Sequence, residues 1–326
     1  MQESGRYLVG LLAVVAGFTQ PFALYSWAQT YPAKPIRIMV GVAPGGSTDV
    51  TARLVGQKLS DQLGQPVIVE NRTGASGAIS AERVAASPAD GYTLMAASAG
   101  DAVLPALRSS LPYDLQRDLA PIARIAIAPY VLVTHPSLPA RNVKELIALA
   151  RAQPGKLNYG STGISGAFLA GALFNQMAQV TIMPVPYKGG AEAAIANVAG
   201  QIEMNYPTIT AALPFLPSGK LRAIAVTSIK RSSLLPSTPT VDESGLAGYD
   251  RSGWMGLLAP ARVPRDIITR LNAVIRNAVS GGELKDLLNK QGLEPLINTP
   301  EEFAVFIQRE IEQNIKLIKL TGVKAE

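Results

Sequence analysis

Short apolar runs alternate with amphipathic helical segments along this chain, and this alternation restricts the possible folds more than any other feature. The run IRIMVGVA (36–43) predicts a buried strand, and the apolar residues after it fall on one helical stripe: Val50, Leu54, Val55, Leu59 and Leu63. PVIVEN (66–71) and YTLMAAS (92–98) predict two more strands, separated by a small-residue helix over 74–87. This βαβαβ order predicts a parallel sheet with helices on both faces.

A second set of strands and helices begins at YVLVTHPSLP (130–139) and runs to the strand LRAIAVTS (221–228). It includes a helix that Pro207 opens at a first-turn position. Helices are then predicted over 264–279, 284–290 and 300–320. With 326 residues, 48% of them hydrophobic, the chain is long enough for two packed domains. We therefore expect an α/β protein with two lobes, in which the last helices pack back on the first lobe.

The N-terminal segment is typical of a secretory signal. Arg6 precedes an apolar stretch (7–18), and the small residues Ser26 and Ala28 stand at the −3 and −1 positions of a cleavage site. We therefore expect residues 1–28 to be a signal peptide and the mature protein to be periplasmic. A short membrane anchor is the alternative, although Gln20 and Pro21 interrupt the apolar run. The chain has no cysteine, which leaves neither a disulfide framework nor a thiolate metal site.

The loop after the first strand, APGGSTDV (43–50), has the composition of an anion-binding turn. Gly45 and Gly46 allow close backbone approach, and the hydroxyls of Ser47 and Thr48 lie in the first turn of the following helix. The loop matches neither the phosphate loop G-x-x-x-x-G-K-[ST] nor the dinucleotide pattern G-x-G-x-x-G, so we predict a carboxylate as its ligand. Asp49 suits the helix dipole but repels an anion held too close. The alternative is a capped glycine turn without a ligand.

Three further loops also follow predicted strands. NYGSTGISG (158–166) offers Ser161, Thr162, Gly163 and Ser165 as a second nest of donors, or as ordinary helix capping. VPYKGG (185–190) contains Tyr187, which can stack or donate, and Lys188, which can attract an anion or simply be solvated on a turn. Asp101, after the third strand, either accepts an ammonium group of a ligand or caps a helix.

The sequence lacks the residue sets of the commonest catalytic sites; a Ser–Lys pair stays open as an alternative, although no S-x-x-K pattern occurs at these loops. His135 is the only histidine and lies in the turn-like context THPSLP; with no second histidine and no cysteine, Ser–His–Asp, Cys–His and histidine-based metal sites are excluded. The net charge of +6 includes no run of five Lys or Arg, so nucleic acid is not an expected partner. We predict a binding protein rather than an enzyme, with neither a metal nor a cofactor.

Several blocks of this sequence, in this order, resemble the Bug/TctC-type substrate-binding proteins of tripartite tricarboxylate transporters. The blocks include YPAKPIRIMVGVAPGGSTDVTARLV (31–55), VIVENRTGASG (67–77), DGYTLM (90–95), VPYKGG (185–190), GKLRAIAVTS (219–228) and GWMGLLAPARVP (253–264). The resemblance covers the chain from about residue 31 to its end. It implies a type II periplasmic binding protein, in which two α/β lobes joined by a hinge hold a ligand in their cleft.

The resemblance also implies a set of site residues and partners. One lobe is expected to comprise residues 29–129 and 251–326, and the other residues 130–250. A ligand carboxylate would be held by the first loop, through Ala43, Gly45, Gly46 and Ser47, and by the Ser161–Ser165 loop opposite. Asp49 would then organise water or cap the helix. The expected partners are a small carboxylate and the membrane permease subunits of a tripartite tricarboxylate transporter, and the receptor is expected to be a monomer.

The sequence departs from the family pattern at three places in the second half of the expected site. The 163–169 loop is one residue shorter, with Phe168 where histidine is common; Pro207 replaces a frequent aspartate; and Asp101 stands in place of a threonine or histidine segment. Aspartate, glutamate, nicotinate, citrate-like and aromatic acids all remain candidate ligands. A ligand-sensing role in a signalling system is the alternative function, and an exported enzyme acting on a carboxylate is a second one.

Overall fold

The computed structural model describes residues 31–323, so the predicted signal peptide (1–28) lies outside the described residues. The described residues fold into two β-sheets, each covered by its own helices. The six-stranded sheet has the order β11-β4-β10-β3-β1-β2. Its strands are β1 (Ile36–Val40), β2 (Val67–Asn71), β3 (Thr93–Ser98), β4 (Leu119–Pro129), β10 (Ser252–Pro260) and β11 (Glu294–Pro295). The five-stranded sheet has the order β7-β6-β8-β5-β9, with β5 (Val131–Thr134), β6 (Asn158–Ser161), β7 (Met183–Pro186), β8 (Met204–Asn205) and β9 (Arg222–Val226).

Helices cover both faces of the six-stranded sheet, as predicted. On one face lie α1 (Ser47–Leu63), α8 (Arg265–Ser280) and α9 (Glu283–Lys290), and on the other α2 (Ala78–Ala85), α3 (Leu104–Leu107) and α10 (Pro300–Thr321). The three C-terminal helices agree with their predicted ranges within one residue at each end, and α8 and α10 pack against this sheet as expected. The apolar stripe of α1 supplies Val55 and Leu59, both fully buried against Ile38 of β1.

The predicted parallel arrangement of the first three strands is confirmed, whereas the other half of this sheet is antiparallel. β1, β2 and β3 are parallel, but β10 is antiparallel to both of its neighbours, β3 and β4. Met255 of β10 lies opposite Ser98 of β3, about 157 positions away in sequence. Local patterns do not reveal a pairing of this kind, because it depends on how the chain returns from the second sheet.

One face of the second sheet packs against α4 (Val143–Ala152) and α5 (Gly166–Ala178). Two further helices, α6 (Gly190–Val198) and α7 (Ile209–Ala212), complete the cover of this sheet. The prediction that Pro207 opens a helix is wrong. The Pro207 carbonyl accepts a hydrogen bond from Val131 N at 2.9 Å, and Thr208 forms an antiparallel bridge with Tyr130. Residues 207–208 therefore extend the sheet, and α7 begins only at Ile209.

Two chain crossings join the sheets, and hydrogen bonds hold the crossings together. The first crossing is at Tyr130, between β4 and β5, and the second runs from Thr227 to Arg251, between β9 and β10. Thr227 N and Oγ1 both donate to Tyr130 O at 3.0 Å, and Tyr130 N donates to Thr227 Oγ1 at 3.1 Å. Arg251 N donates to Thr227 O at 2.8 Å. The two crossings thus form one narrow connection, as a hinge requires.

Candidate functional site

The first candidate loop leaves β1 and enters α1 through two glycines. Gly45 has a positive φ of 88°, which favours glycine, and Gly46 is the extended N-cap residue of α1. No side chain among residues 31–323 caps this helix at Gly46. Residues 42–47 are exposed, so the amide groups of the first helical turn and the Ser47 hydroxyl are accessible to a ligand.

Asp49 holds this loop in place from inside the protein. Its side chain is almost fully buried, and its Oδ2 accepts hydrogen bonds from Gly45 N at 2.9 Å and Arg53 Nε at 3.0 Å. Its Oδ1 accepts from Arg53 Nη2 and Asn71 Nδ2, both at 2.9 Å. Asn71 Nδ2 also lies 3.0 Å from the Val42 carbonyl oxygen. Both carboxylate oxygens therefore face protein donors, and the pattern is that of a loop-positioning residue.

The charge of Asp49 is favoured by these contacts. Burial raises the pKa of its carboxyl, but the hydrogen bonds from Arg53, Gly45 N and Asn71 outweigh that effect and leave the pKa below its usual value. Neither Arg53 nor Asn71 was expected at the site from the sequence. The spacing of four residues between Asp49 and Arg53 is a signal that could have identified Arg53. Asn71 gives no such signal, because it reaches the loop only through the pairing of β2 with β1.

The loops that follow β2 and β3 meet the first loop at the same end of the sheet. A Cβ on Gly41 would lie 2.8 Å from the Cα of Gly77, so the two backbones touch. The predicted helix over 74–87 starts later than expected, at Ala78, because residues 74–77 all have positive φ values, from 46° to 132°. Asp101 lies behind Gly77 and is only 7% exposed.

Asp101 accepts hydrogen bonds within its own loop. Ser98 N donates to its Oδ2 at 2.7 Å and Ser98 Oγ donates to the same oxygen at 3.2 Å. Burial raises the pKa of its carboxyl from 3.8 to about 6, although the Ser98 hydrogen bonds oppose the shift. The buried hydroxyl of Tyr113 is close enough to be affected by this charge, and none of the described residues hydrogen-bonds it.

The second candidate loop joins β6 to α5 in the other sheet. Ser165 is the N-cap residue of α5, and its hydroxyl accepts from Phe168 N and Thr162 N, both at 3.4 Å. Gly163 has a φ of 57° and is exposed, while Ser161 is buried at the end of β6. A side chain at position 166 would overlap the Tyr130 hydroxyl, so this loop lies directly against the first crossing.

The third loop lies beside the second one. β6 and β7 are parallel, with Ser161 opposite Pro186, and Tyr187 N donates to Ser161 O at 2.8 Å. Lys188 is exposed, and its backbone N–H donates to Glu192 Oε2 at 2.9 Å. Tyr187 and Lys188 are thereby brought next to the Ser161–Ser165 loop.

An apolar cluster joins the six-stranded sheet to the second loop. Val103, just after Asp101, packs with Phe168 and Leu169 at the start of α5, together with Leu317 and Ile318 near the end of α10. Phe168 is thus a core residue in this protein. The cluster brings the Asp101 loop of one sheet and the α5 N-terminus of the other into contact.

We find no helix among residues 31–323 that is both long and apolar enough to cross a membrane. Within the same residues, no group of three or more His, Cys, Asp and Glu side chains is arranged as a metal site.

Comparison with known proteins identifies the family. A family model described as tripartite tricarboxylate transporter family receptor, TctC, matches residues 51–323. BugT of Bordetella pertussis is 37% identical over 320 residues, which is 97% of each chain. An R. palustris protein solved with adipate is 33% identical, with a TM-score of 0.73 over 91% of this chain and 100% of the other. MatC from Rhodopseudomonas palustris, solved with bound malate, is 30% identical, with a TM-score of 0.68 over 88% of this chain and 100% of MatC.

These matches extend over both sheets, and they confirm the two-lobed α/β fold and the resemblance on which it was predicted. Because the family model covers more than half of the chain and BugT matches nearly all of it, the chain belongs to the TctC family of tripartite tricarboxylate transporter receptors.

Proposed function

We propose that this receptor works in the periplasm, where it binds a small carboxylate between its two lobes and delivers it to the permease subunits of a tripartite tricarboxylate transporter. The observation that carries the proposal is the loop at Gly45–Ser47, whose exposed amides are held at a helix N-terminus by the buried Asp49. The relatives that hold adipate and malate support a carboxylate as the ligand. The family supports a receptor rather than an enzyme.

The ligand carboxylate is proposed to lie against the first turn of α1. Backbone N–H groups and the partial positive charge of a helix N-terminus stabilise an anion there. The direct contacts on this side are Ala43, Gly45, Gly46 and Ser47. Asp49 positions this loop and does not contact the anion, because its two oxygens already face Gly45, Arg53 and Asn71.

The opposing contacts are proposed to come from the five-stranded sheet. They are Ser161, Thr162, Gly163 and Ser165, with Tyr187 and the exposed Lys188 beside them. The moving lobes would be residues 29–129 with 251–326, and residues 130–250. Closure would occur at the hydrogen-bonded crossings of Tyr130 and Thr227, because the described chain passes between the two sheets only at these two places.

Asp101 is proposed to shape the loop after β3. Its Oδ1 atom faces Gly77. A ligand ammonium group would need that loop to open, because the carboxylate is only 7% exposed. We therefore assign Asp101 a positioning role within the site.

Isothermal titration calorimetry with adipate and malate tests the clamp. A Cβ at position 46 meets no atom closer than 3.7 Å, and the extended backbone there suits valine, so Gly46→Val keeps the fold and fills the ligand space. We expect its affinity to fall by about tenfold or more, which is about 1.4 kcal/mol, with an unchanged melting temperature. Equal affinity in the wild type and in Gly46→Val would refute the clamp.

A thermal-shift screen defines the ligand class if neither acid binds. Mono-, di- and tricarboxylates, acidic amino acids and aromatic acids are compared, since a ligand that binds only the folded state raises the melting temperature. Recovery of the bound acid in unchanged form distinguishes a receptor from an enzyme. Failure of every carboxylate to raise the melting temperature would contradict the proposal.

A further inference from the structure

A cavity of about 350 Å³ lies beside the two crossings, away from the proposed clamp. Its walls come from β4, β10, β11 and α10 on one side, and from Ser228–Arg231, just after β9, on the other. β4 is separated from β1 by β10 and β3, and at about 4.8 Å per strand the two lie about 14 Å apart. None of the proposed clamp residues lines this cavity.

One wall of the cavity carries a guanidinium group with unused donors. The Arg124 Cζ lies 3.8 Å from the centroid of the Phe306 ring, which places the guanidinium over the aromatic face. Within residues 31–323 no acceptor hydrogen-bonds this group. The neighbouring Arg231 is already paired with Glu243 at 2.8 Å, and the buried Arg251 with Glu310 at 3.5 Å. The carboxylates of Asp250 and Glu310, which also line the cavity, interact with Arg124 electrostatically, but its N–H groups keep free donors for an anion that enters.

The same cavity has unused acceptors. Ser252 Oγ and Glu294 Oε1 are both buried, and neither has a hydrogen-bond partner among the described residues. An unsatisfied buried polar atom costs about 1–3 kcal/mol, so groups of this kind normally meet a ligand or water. Glu294 and Arg124 both line the cavity without forming an ion pair with each other. A donor that enters the cavity can therefore bind Glu294 without displacing an existing partner.

The cavity also has an aromatic and aliphatic wall, beside the polar lining residues Ser228, Lys230, Arg231, Asp250 and Glu310. Trp254 and Phe306 line it as an edge-to-face pair with ring centroids 5.7 Å apart, and Ile127 and Leu296 extend the apolar wall. The Trp254 indole N–H is occupied by Glu310 Oε2 at 3.2 Å, so only its ring faces a ligand. The cavity thus combines the Arg124 guanidinium, the Glu294 carboxylate and an apolar wall, with Lys230 and Asp250 also in its lining, in a volume typical of small-molecule sites.

We infer that this cavity is a second ligand site, which binds a small α-amino acid with an apolar side chain. The ligand carboxylate binds the Arg124 guanidinium, the ammonium group binds Glu294, and the side chain packs against Trp254 and Phe306. This inference does not depend on the carboxylate clamp.

Tryptophan fluorescence gives a direct test with L-leucine as the probe. The chain has two tryptophans, and Trp27 belongs to the predicted signal peptide, so in protein that begins at residue 29 Trp254, in the cavity wall, is the only one. We expect a saturable change in emission with L-leucine. We also expect binding about tenfold or more weaker for 4-methylpentanoate, which lacks the ammonium group, and for 3-methylbutylamine, which lacks the carboxylate.

Variants then separate this site from the clamp. Arg124→Gln and Glu294→Gln should each weaken L-leucine binding by about tenfold or more, and Ser252→Ala, a small change that keeps the fold, should weaken it measurably. Gly46→Val should leave L-leucine binding unchanged while it weakens adipate binding. Melting temperatures confirm that the variants are folded.

Three results would overturn the inference. The first is the absence of a saturable response up to about 10 mM L-leucine, where even a dissociation constant of millimolar size would be seen. The second is equal binding of all three compounds. The third is loss of L-leucine binding in Gly46→Val with retention in Arg124→Gln and Ser252→Ala, since that pattern would place the amino acid in the clamp.

Discussion

Asp49 and Arg53 form a two-point ion pair across one turn of α1, with Arg53 Nε 3.0 Å from Oδ2 and Nη2 2.9 Å from Oδ1. The same carboxylate receives Gly45 N, so a residue of the helix interior fixes the loop that precedes the helix. This relationship explains how an acidic residue can stand next to a proposed anion site. Its charge is already neutralised by Arg53, and its hydrogen bonds present the amides of the loop to the ligand.

Arg53→Lys should weaken carboxylate binding although it keeps the positive charge. A lysine ammonium cannot make the two parallel hydrogen bonds of a guanidinium, so the Gly45–Asp49 contact loses its support. We expect calorimetry with adipate or malate to show an affinity lower by about threefold to tenfold. Arg72→Lys is the matched control, because Arg72 is exposed and its one ion pair within residues 31–323 is with Glu70, at 3.5 Å. Equal losses in the two variants would contradict the positioning role of Arg53.

The buried carboxyl of Asp101 should make stability depend on pH. Burial raises its pKa from 3.8 to about 6, so between these values the folded protein binds more protons than the unfolded chain, and stability falls as pH rises. Asp101→Asn removes this titration. The free energy of unfolding of the variant minus that of the wild type should therefore be about 3 kcal/mol larger at pH 7 than at pH 3.5. Urea denaturation at the two pH values measures the difference, and a difference that does not change with pH would count against the prediction.

Glu310→Gln should destabilise the protein strongly. Arg251 and Glu310 are both nearly fully buried, and Glu310 also accepts from the Trp254 indole, so the variant leaves a buried guanidinium without its counter-ion. Breaking a pair of this kind costs about 3–5 kcal/mol, measurable by urea denaturation.

The control for this variant is another ion pair of α10. Glu301 contacts Arg265 at 2.6 Å, but both side chains are exposed, so Glu301→Gln should leave stability nearly unchanged. Similar effects of the two substitutions would show that burial of the Arg251–Glu310 pair is not decisive.

Gly171→Ala should destabilise the protein even though alanine favours helices. A Cβ at this position of α5 would overlap the ring of Tyr159, and that ring is fixed by its hydrogen bond to Phe168 O at 3.1 Å and by its contact with Tyr206. Overpacking of this kind costs about 1–3 kcal/mol. Thermal and urea unfolding measure the loss.

Gly56→Ala, within α1, is the matched control. Its Cβ would lie 3.3 Å from Val67 Cγ1, a side-chain atom that can shift by a few tenths of an ångström. The helix preference of alanine then offsets the tighter contact, and stability should change by less than about 1 kcal/mol. A larger loss at Gly56 than at Gly171 would contradict the role assigned to the Tyr159 ring.

The amino-acid sequence by itself determined the elements whose signals are local. The parallel β1–β3 unit follows from apolar runs separated by helical stripes, and α8, α9 and α10 follow from their periodicity and caps. The position of the Gly45–Gly46 loop at a helix start also follows from sequence, because the strand, the glycines and the helix are adjacent in the chain. The resemblance identified the family.

Tertiary structure alone decided what depends on residues far apart in the chain. β10 lies between β3 and β4 because the chain returns from the second sheet at Arg251, and no local pattern encodes that return. Asn71 reaches Asp49 only through the pairing of β1 with β2, and Phe168 is a core residue because α10 brings Leu317 to α5. The cavity beside the two crossings likewise unites Arg124, Ser252 and Glu294 from three strands. Local propensity acts within a few residues, whereas burial and hydrogen bonding across strands act only once the sheets have formed.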